Sequence, residues 1–393
     1  MSALPSGGAS SGPGVPDEWS AGVAVWSEKP WDALPALERD IAADVCVVGL
    51  GGSGLAAVHQ LRELGASVVG IDALGVAGAA AGRNGGFLIA GLSEFHHDAV
   101  ARFGRARAAA LYRLTIDEIQ RMAAETPAAV RLTGSLRIAA SDEEERDCRA
   151  QLAAMVADGL PVEWYEGSEG RGLLVPTDGV LQPVTRCRTL ARAAAADGAF
   201  LFERTPAVDV SAGAVTTPSG RVRCGAVVVA VDGGLARIVP EVATRVRTAR
   251  LQMLATAPTA AVRLTRPVYT RWGYDYWQQL PDGRLVLGGQ RDVVEGEEWT
   301  EDAAPTDRVQ RLLDGVLAER IGARVEVTHR WGATVTFSDT GLPVLEEVRP
   351  GVLAVGAYSG TGNVMGALCG RAAARIALGL ETPISGLLRL DTT

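Results

Sequence analysis

The first clear pattern of buried positions begins at residue 44. The run DVCVVG is short, β-branched and apolar, and it ends on glycine, as a buried strand does. The next residues, GSGLAAVHQLRELG, place Leu55, Val58 and Leu61 at helical spacing and close on Gly65. A second apolar run, SVVGID, follows directly. This order of strand, helix and strand predicts a parallel sheet with a right-handed crossover.

Later segments alternate between helical and strand patterns. Helical spacing marks four segments, at 93–155, 189–198, 306–320 and 363–379. Strand patterns mark three others, at 226–234, 245–300 and 352–356. The predicted fold class is therefore α/β, or α+β when the whole chain is counted.

Composition and charge exclude several classes of function. With 38 basic and 46 acidic residues the net charge is −8, so a nucleic-acid partner held by phosphate contacts is not expected. The five cysteines are scattered, which predicts no disulfide framework. Of the four histidines only His96 and His97 are adjacent, and because neighbouring residues point apart on a helix or strand, no metal site is expected. No secretory leader and no apolar run of about 20 residues is found, so the protein is expected to be cytoplasmic, without a membrane span.

The segment VGLGGSG, residues 48–54, carries the most specific chemical pattern in the chain. Gly49, Gly51 and Gly54 form G-x-G-x-x-G between the first predicted strand and its helix. Glycines there allow a tight turn and let the backbone approach a pyrophosphate, which faces the positive end of the helix. Asp72 ends the second strand, 18 residues after Gly54, where it can accept ribose hydrogen bonds. This context favours dinucleotide binding over a structural glycine turn.

Two further glycine-rich segments indicate which dinucleotide is bound. GAAAGRNGG, residues 78–86, follows the ribose carboxylate, where a nicotinamide enzyme needs no second glycine block but the longer cofactor FAD does. GAYSGTGN, residues 356–363, opens the last predicted helix, whose N-terminus can stabilise negative charge at the pyrimidine edge of a flavin. A flexible glycine loop at 78–86 and a nicotinamide-dependent dehydrogenase are the alternatives.

Together these segments resemble the D-amino-acid-oxidase superfamily of FAD-dependent oxidoreductases, most of all its γ-glutamylputrescine oxidase branch. The resemblance covers about residues 20–380 and is most specific in DVCVVGLGGSGLAA, GRNGG, LQPVTRCRTLARAA, AVVVAVDGG, HRWGATVTFSDTGLP and LAVGAYSGTGNVMGALCGRAAA. The implied FAD contacts are Gly49, Gly51, Gly52, Ser53, Gly54, Asp72, Ala73, Gly82, Arg83, Asn84, Gly85, Gly86, Val208, Ala230, Gly356, Gly360, Thr361, Gly362 and Asn363.

The resemblance also implies a domain arrangement, a Rossmann-like FAD-binding domain with a discontinuous antiparallel-sheet substrate domain. The FAD-binding domain is expected to comprise residues 40–92, 175–240 and 330–393. The substrate domain is expected to comprise residues 93–174 and 241–329, and residues 1–39 form an N-terminal arm. The arm begins with a Ser-, Gly- and Pro-rich stretch but then carries Trp19, Trp26 and Trp31, so its later part is expected to pack on the body.

Departures from the superfamily pattern bear on how FAD is held. Some relatives attach FAD through a histidine aligned with Arg83 or through a cysteine in the C-terminal region. Position 83 is arginine here, and Cys369 lies inside the last predicted helix, so FAD is expected to be non-covalent. The ribose acid, usually glutamate in such proteins, is the shorter but chemically equivalent Asp72.

The substrate-selecting position also departs from the pattern. Amino-acid oxidases of the superfamily place an arginine after the tryptophan to bind a substrate carboxylate, and Val335 stands at roughly that place. This favours an amine over a simple α-amino acid, although Arg250 or Arg271 could replace the missing arginine. Several relatives use a lysine to promote oxygen reduction, but the single lysine, Lys29, lies in the N-terminal arm. Oxygen and another electron acceptor therefore both stay open, with oxygen favoured by the resemblance.

The aromatic stretch WGYDYWQQ is predicted to border the substrate. Alternation along a strand places Trp272, Tyr274 and Tyr276 on one face, where they could hold an amine above the flavin. A packed sheet face or a dimer interface is the alternative. The predicted catalytic contacts are Tyr276, Trp331 and Tyr358.

The resulting hypothesis is an FAD-dependent oxidoreductase that oxidises a C–N bond of a small amine to an imine by hydride transfer to flavin, with oxygen giving hydrogen peroxide. This chemistry needs a neutral amine at the right distance more than a strong base, so no base is named. The alternatives are an amino-acid oxidase or dehydrogenase, including a tailoring enzyme of secondary metabolism, and a flavin-binding protein without turnover. The oligomeric state is not indicated by any pattern.

Overall fold

The computed structural model describes residues 22–28 and 30–389, except for the side chain of Glu295. The predictions for Lys29, Trp19 and the Ser-, Gly- and Pro-rich start lie outside the described residues. The strands, in chain order, are β1 Ile41–Val48, β2 Val68–Ile71, β3 Phe87–Leu88, β4 Val130–Arg131, β5 Ser135–Ile138, β6 Glu163–Gly167, β7 Gly170–Val175, β8 Gly179–Leu181, β9 Phe200–Phe202, β10 Asp209–Ser211, β11 Ala214–Thr217, β12 Gly220–Val229, β13 Val246–Thr256, β14 Val268–Thr270, β15 Asp275–Gln279, β16 Leu285–Gly289, β17 Val327–Ser338, β18 Val344–Arg349 and β19 Val352–Gly356.

The longer helices lie in or overlap the predicted helical segments, although segment 93–155 also contains β4 and β5 and the short helices were not predicted. In α1 the spaced residues Leu55, Val58 and Leu61 are all fully buried. In chain order they are α1 Gly52–Glu63, α2 His96–Phe103, α3 Arg105–Glu125, α4 Asp142–Ala157, α5 Pro183–Ala196, α6 Leu235–Ile238, α7 Glu295–Glu298, α8 Asp307–Gly315, α9 Val364–Ala377 and α10 Pro383–Leu388. Within the described part of the chain, no helix has the length and apolar character needed to cross a membrane.

The first sheet contains the predicted parallel crossover. In the order β9-β2-β1-β12-β19 all neighbours are parallel, and α1 connects β1 to β2. The hairpin β10–β11 and strand β18 add antiparallel neighbours. Val45 and Val47 of β1 face the core that contains α1 and α9, whereas Cys46 and Val48 face the core under α6. Both faces are therefore covered, as a parallel sheet requires.

The second sheet has the order β17-β13-β16-β15-β14-β5-β7-β6 and is antiparallel except for the parallel pair β14 and β5. One face packs on α8, through Leu254, Leu287 and Leu313. Met253 and Trp331 lie on the other face and belong to the same core as α1 and α9. Strand β17 spans residue 330, so the expected domain boundary at that residue falls inside the second sheet, and the domain limits stay a prediction. A short third sheet, β3-β8-β4, completes the β structure of the described chain.

The aromatic stretch before β15 is only partly a strand. Arg271, Trp272 and Gly273 have φ values of 52°, 54° and 88°, so three left-handed residues in succession turn the chain before the strand begins. Trp272 and Tyr274 are 38% and 37% exposed, and neither continues the alternation that buries part of Tyr276. The prediction that these three aromatic residues share one strand face is therefore wrong, because the turn breaks the period of two.

Residues 22–28 and 30–37 pack on the body. Trp26 is 2% exposed, and its indole Nε1 donates to the carbonyl oxygen of Asn84 at 2.7 Å. The Trp31 indole Nε1 donates to the buried Glu203 carboxylate at 3.0 Å. Both tryptophans thus fasten the start of the chain to loops that lie at the carboxyl edge of the first sheet.

Candidate cofactor site

The loop between β1 and α1 has the backbone that the glycine fingerprint predicts. Gly49 has a φ of 103°, and a Cβ there would lie 2.6 Å from the Ala230 carbonyl oxygen. A Cβ on Gly54 would lie only 1.8 Å from the carbonyl oxygen of Gly49. A Cβ on Gly52 meets nothing within 4 Å, and no side chain caps the N-terminus of α1. The first turn of α1 therefore offers open backbone N–H groups to an anion.

Asp72 turns its carboxylate toward this loop. Oδ2 accepts a hydrogen bond from Leu50 N at 2.7 Å, and Oδ1 accepts one from Leu74 N at 2.8 Å. Burial raises the pKa of Asp72 to about 6, and the two backbone donors work in the opposite direction. The carboxylate thus lies beside the glycine loop at the end of β2, which suits the predicted ribose contact; Ala73, next in the chain, is exposed.

Val208 and Ala230, the two residues predicted to line the adenine side, lie in different surroundings. The Val208 side chain is 68% exposed, and its backbone N–H donates to the Thr216 carbonyl oxygen at 2.8 Å. Ala230 is buried, and its backbone contacts the glycine loop at Gly49. Both contacts with the adenine end stay predictions.

Arg83, within the second glycine block, ties this block to β17 and to the N-terminal segment. Its Nε donates to the Gly332 carbonyl oxygen at 2.8 Å, and a terminal nitrogen donates to the Gly22 carbonyl. The carbonyl oxygen of Arg83 itself accepts from the Trp331 indole at 2.7 Å. The guanidinium is thus committed to backbone carbonyls of β17 and of the N-terminal segment, and its contribution is to shape the loop.

Asn84 joins the second glycine block to the third. Its Oδ1 accepts from Gly86 N at 2.9 Å and from Asn363 Nδ2 at 3.0 Å. Asn363 also donates to the Phe87 carbonyl oxygen at 2.9 Å. Since residue 363 precedes α9, these bonds hold the start of α9 against the turn at 84–87.

The third glycine block leaves the start of α9 open. Gly360 has a φ of 94° and no atom within 4 Å of an added Cβ, and no side chain caps α9. Thr361 Oγ1 donates to the Tyr358 carbonyl oxygen at 2.8 Å, which closes the turn. Gly362 lies against the ring of Tyr358, at 3.2 Å from an added Cβ. The open N–H groups and the dipole of α9 suit negative charge at this point.

The three predicted catalytic residues lie in different environments. Tyr276 is half-buried on β15, and its ring stands 5.6 Å from that of Phe87 and 5.9 Å from that of Tyr269. Trp331 is fully buried in the core. Tyr358 is 5% exposed and packs against α9 at Gly366. Tyr276 lies against the second glycine block at Gly85, Trp331 bonds the same block through Arg83, and Tyr358 belongs to the third block. Their catalytic roles stay predictions.

Three residues near this face escaped the sequence analysis. Phe87 and Tyr269 form the aromatic cluster with Tyr276, at 4.9 Å from each other. Gln278, buried on β15, donates through Nε2 to the carbonyl oxygens of Gly85 at 2.5 Å and Gly86 at 3.2 Å. The available signal was an amide side chain two residues after Tyr276 in the same strand, and therefore on the same face as Tyr276.

Two arginines considered as carboxylate clamps are occupied. Arg250 is buried and pairs with Glu298 at 2.8 Å. Arg271 pairs with Asp275 at 3.2 Å and with Asp292. Val335, at the position where the superfamily has its arginine, is half-buried. Neither arginine therefore offers a free guanidinium to a substrate carboxylate, and Val335 has none.

A half-buried aspartate that sequence analysis also missed holds the third block to the second sheet. Asp232 accepts hydrogen bonds from Thr336 N at 3.1 Å and from Tyr358 N at 3.4 Å. Burial raises its pKa to about 6. Together with the Asn84–Asn363 bond, this contact brings all three glycine blocks to one edge of the first sheet, where they fit an extended dinucleotide such as FAD.

Comparison with known proteins agrees with this geometry. The family model described as "DAO: FAD dependent oxidoreductase" matches residues 44–376. The chain is 29% identical to a probable oxidoreductase OrdL of Rhizobium meliloti, covering 92% of this chain and 89% of that protein. It is 25% identical to the gamma-glutamylputrescine oxidoreductase of Escherichia coli, covering 89% and 86%.

Crystal structures show the same fold. The L-proline dehydrogenase of P. horikoshii matches with a TM-score of 0.74 and 18% identity, over 90% of this chain and 96% of that one. The glycine oxidase of Geobacillus kaustophilus matches with a TM-score of 0.73 and 19% identity, over 90% and 99%. The predicted class, a Rossmann-like sheet combined with a second, largely antiparallel sheet, is confirmed, and so is the resemblance. The chain belongs to the DAO family of FAD-dependent oxidoreductases.

Proposed function

We propose that this protein oxidises a C–N bond of an amine to an imine. The observation that carries the proposal is Val335, together with the commitment of Arg250 and Arg271 to carboxylates of the protein. The usual clamp for the carboxylate of an α-amino acid is thus missing, while the three glycine blocks lie together at one edge of the first sheet, where they suit FAD. The names of two similar proteins, gamma-glutamylputrescine oxidoreductase and glycine oxidase, support amino compounds as the substrate class.

In this reaction the carbon next to nitrogen loses a hydride and the nitrogen loses a proton, and the imine is then hydrolysed by water. FAD, when bound, supplies the two-electron acceptor. The side chains of Phe87, Tyr269 and Tyr276 supply an apolar wall that excludes water and holds the amine by shape and ring contact. Burial raises the pKa values of Tyr269 and Tyr276, so both remain neutral phenols that hold no charge near the substrate.

The remaining contribution of the chain is positioning. Gln278 holds the carbonyls of Gly85 and Gly86, and Asn84 with Asn363 holds the start of α9. The open N–H groups and the positive dipole end of α9 would stabilise the negative charge that a bound flavin gains on reduction. No strong side-chain base lies among these residues, in keeping with a substrate that reacts as the neutral amine.

The test is anaerobic reduction of the purified holoenzyme, followed as bleaching of the flavin band near roughly 450 nm. A panel of primary and secondary amines is compared with α-amino acids of similar size. We expect bleaching by amines and much slower bleaching by the α-amino acids. Efficient bleaching by α-amino acids alone would overturn the proposal, as would no bleaching by any compound of either kind.

The electron acceptor defines a second candidate, an amine dehydrogenase. The described residues contain no lysine, since the single lysine is Lys29, so the lysine that assists oxygen in several relatives has no counterpart among them. Admitting air to the bleached enzyme separates the two functions. Recolouring within seconds indicates an oxidase that forms hydrogen peroxide, whereas recolouring over many minutes indicates a dehydrogenase.

A further inference from the structure

Arg291 follows β16 and lies inside a cage of three aromatic rings. Its guanidinium carbon stands 4.7 Å from the ring centre of Phe337, 5.1 Å from that of Trp299 and 5.5 Å from that of Tyr274. The preceding residue, Gln290, has a φ of 64°, a costly conformation that aims the chain at this point. The cage holds a half-buried arginine at the edge of the second sheet.

No carboxylate among the described residues pairs with Arg291. The acidic side chains around it serve other partners: Asp292 and Asp275 bind Arg271, and Glu298 binds Arg250. Arg247 stacks on the same Trp299 ring at 4.2 Å, which brings a second positive charge to the cluster. The guanidinium of Arg291 is therefore accessible and positively charged, with no carboxylate partner among the described residues, as an anion-binding group requires.

The position of Arg291 connects it to the proposed site. Phe337 lies two residues after Val335 on β17, so the cage adjoins the place from which the superfamily's arginine is missing. The charge of Arg291 also lowers the pKa of Tyr276, against the larger raising effect of burial, so the two side chains are electrostatic neighbours. Tyr276 in turn lies against the second glycine block at Gly85.

We propose that Arg291 binds an acidic group of the substrate, so that the substrate is an amine that also carries a carboxylate or a similar anion. The inference rests on the proposed function. Contact with the rings does not use the N–H groups of Arg291 as hydrogen-bond donors to a carboxylate, so these groups can form bidentate hydrogen bonds to such an anion. The anion is held by Arg291, which follows β16, whereas the superfamily's arginine would stand at Val335 on β17. This difference in position separates the proposed substrate from the simple α-amino acids.

The test uses benzoate and its uncharged analogue benzamide as non-reacting probes of the holoenzyme. Binding is followed by calorimetry and by perturbation of the flavin spectrum, which do not depend on turnover. The variants are R291M, which keeps an apolar stem in the cage, R291K, which keeps the charge, and the control R311Q on the exposed face of α8. We expect benzoate affinity to fall roughly 10- to 100-fold in R291M and less in R291K. R311Q should bind benzoate as the unaltered protein does, and benzamide binding should be equal in all four proteins.

Three results would overturn the inference: no benzoate binding to the unaltered holoenzyme, equal benzoate binding by R291M, or an equal loss of benzamide binding in R291M. A kinetic comparison of 4-aminobutanoate with butylamine keeps the two proposals apart. If neither amine bleaches the flavin but benzoate affinity falls in R291M, the proposal of an amine substrate fails and the proposal of an anion site at Arg291 stands. If butylamine reacts well and R291M handles both amines like the unaltered protein, the anion site fails and the amine proposal stands.

Discussion

At the scale of single residues, Gln278 is the clearest link between the second sheet and the cofactor loop. Its amide donates to two carbonyls of the second glycine block. We expect Gln278→Leu to weaken FAD binding by roughly ten- to a hundredfold, because a buried carbonyl loses its donor at a cost of about 1–3 kcal/mol. Titration of the apoprotein with FAD measures this. Gln279→Leu is the matched control, since the Gln279 amide binds carbonyls on the opposite side, among them Thr259 and Gly283. Equal affinities for FAD in the two variants would contradict the role.

Asp178 leads to a prediction about pH and stability. It is 1% exposed, accepts from Ser135 Oγ at 2.6 Å and Ala90 N at 3.0 Å, and burial raises its pKa to about 7. Its ordinary value is 3.8, so between about pH 4 and 7 the unfolded chain ionises this carboxyl while the folded chain does not. Raising the pH through that window therefore favours unfolding.

We expect the difference in melting temperature between Asp178→Asn and the unaltered protein to increase in favour of the variant between pH 4.5 and 8. Each unit of the pKa difference contributes about 1.4 kcal/mol, so the total corresponds to a few kcal/mol of unfolding free energy. Thermal scans of both holoproteins across this range provide the measurement. Because all other titrating groups are common to the two proteins, a constant difference would show that Asp178 ionises alike in the folded and unfolded states.

At the scale of elements, the N-terminal segment around Trp26 binds the second glycine block and holds it in place. Trp26 Nε1 donates to Asn84 O, and the Trp26 carbonyl accepts from Gln182 Nε2 at 2.9 Å. We expect Trp26→Phe, which keeps most of the ring but loses the donor, to release FAD several-fold faster on dilution. Fluorescence of the freed flavin follows the release. Trp164→Phe is the control, because the Trp164 indole binds Glu166 on the distant strand β6. Similar rates of FAD release in both variants would show that the Trp26 hydrogen bond has no specific role in holding FAD.

Elements whose contacts are local were predicted well from the sequence, and those that depend on distant partners were not. The order β1-α1-β2 and the glycine turn follow from apolar spacing and from glycines within 30 residues. The bond from Gln278 to Gly85 spans 193 residues, and no local period encodes it. The turn at Arg271 and Trp272 was missed for a related reason. Glu144 of α4 holds it by accepting from both backbone N–H groups, at 3.0 and 2.7 Å, and Glu144 is 127 residues away from Arg271.

At the scale of the whole molecule, the surroundings of the cofactor site decide how FAD is held. The residues that attach flavin covalently in some relatives are replaced or displaced here. Arg83 is not a nucleophile, and its guanidinium is bound to carbonyls of Gly332 and Gly22. Cys369 is fully buried within α9, and burial raises the pKa of its thiol, so the thiolate needed for attack is scarce. The other cysteines are all free thiols, and Cys46, Cys148 and Cys187 are buried like Cys369.

We therefore expect acid precipitation to release the flavin completely, with a colourless pellet and a supernatant that contains FAD at about one equivalent per chain. Absorption spectroscopy of the two fractions and the mass of the denatured chain give the measurement. Cys369→Ala is the informative control: it should leave the release unchanged, because the thiol plays no part in holding the cofactor. Flavin that stays in the pellet of the unaltered protein but is freed in Cys369→Ala would contradict the prediction. It would mean that α9 moves away from α1 far enough to expose the Cys369 thiol to the flavin.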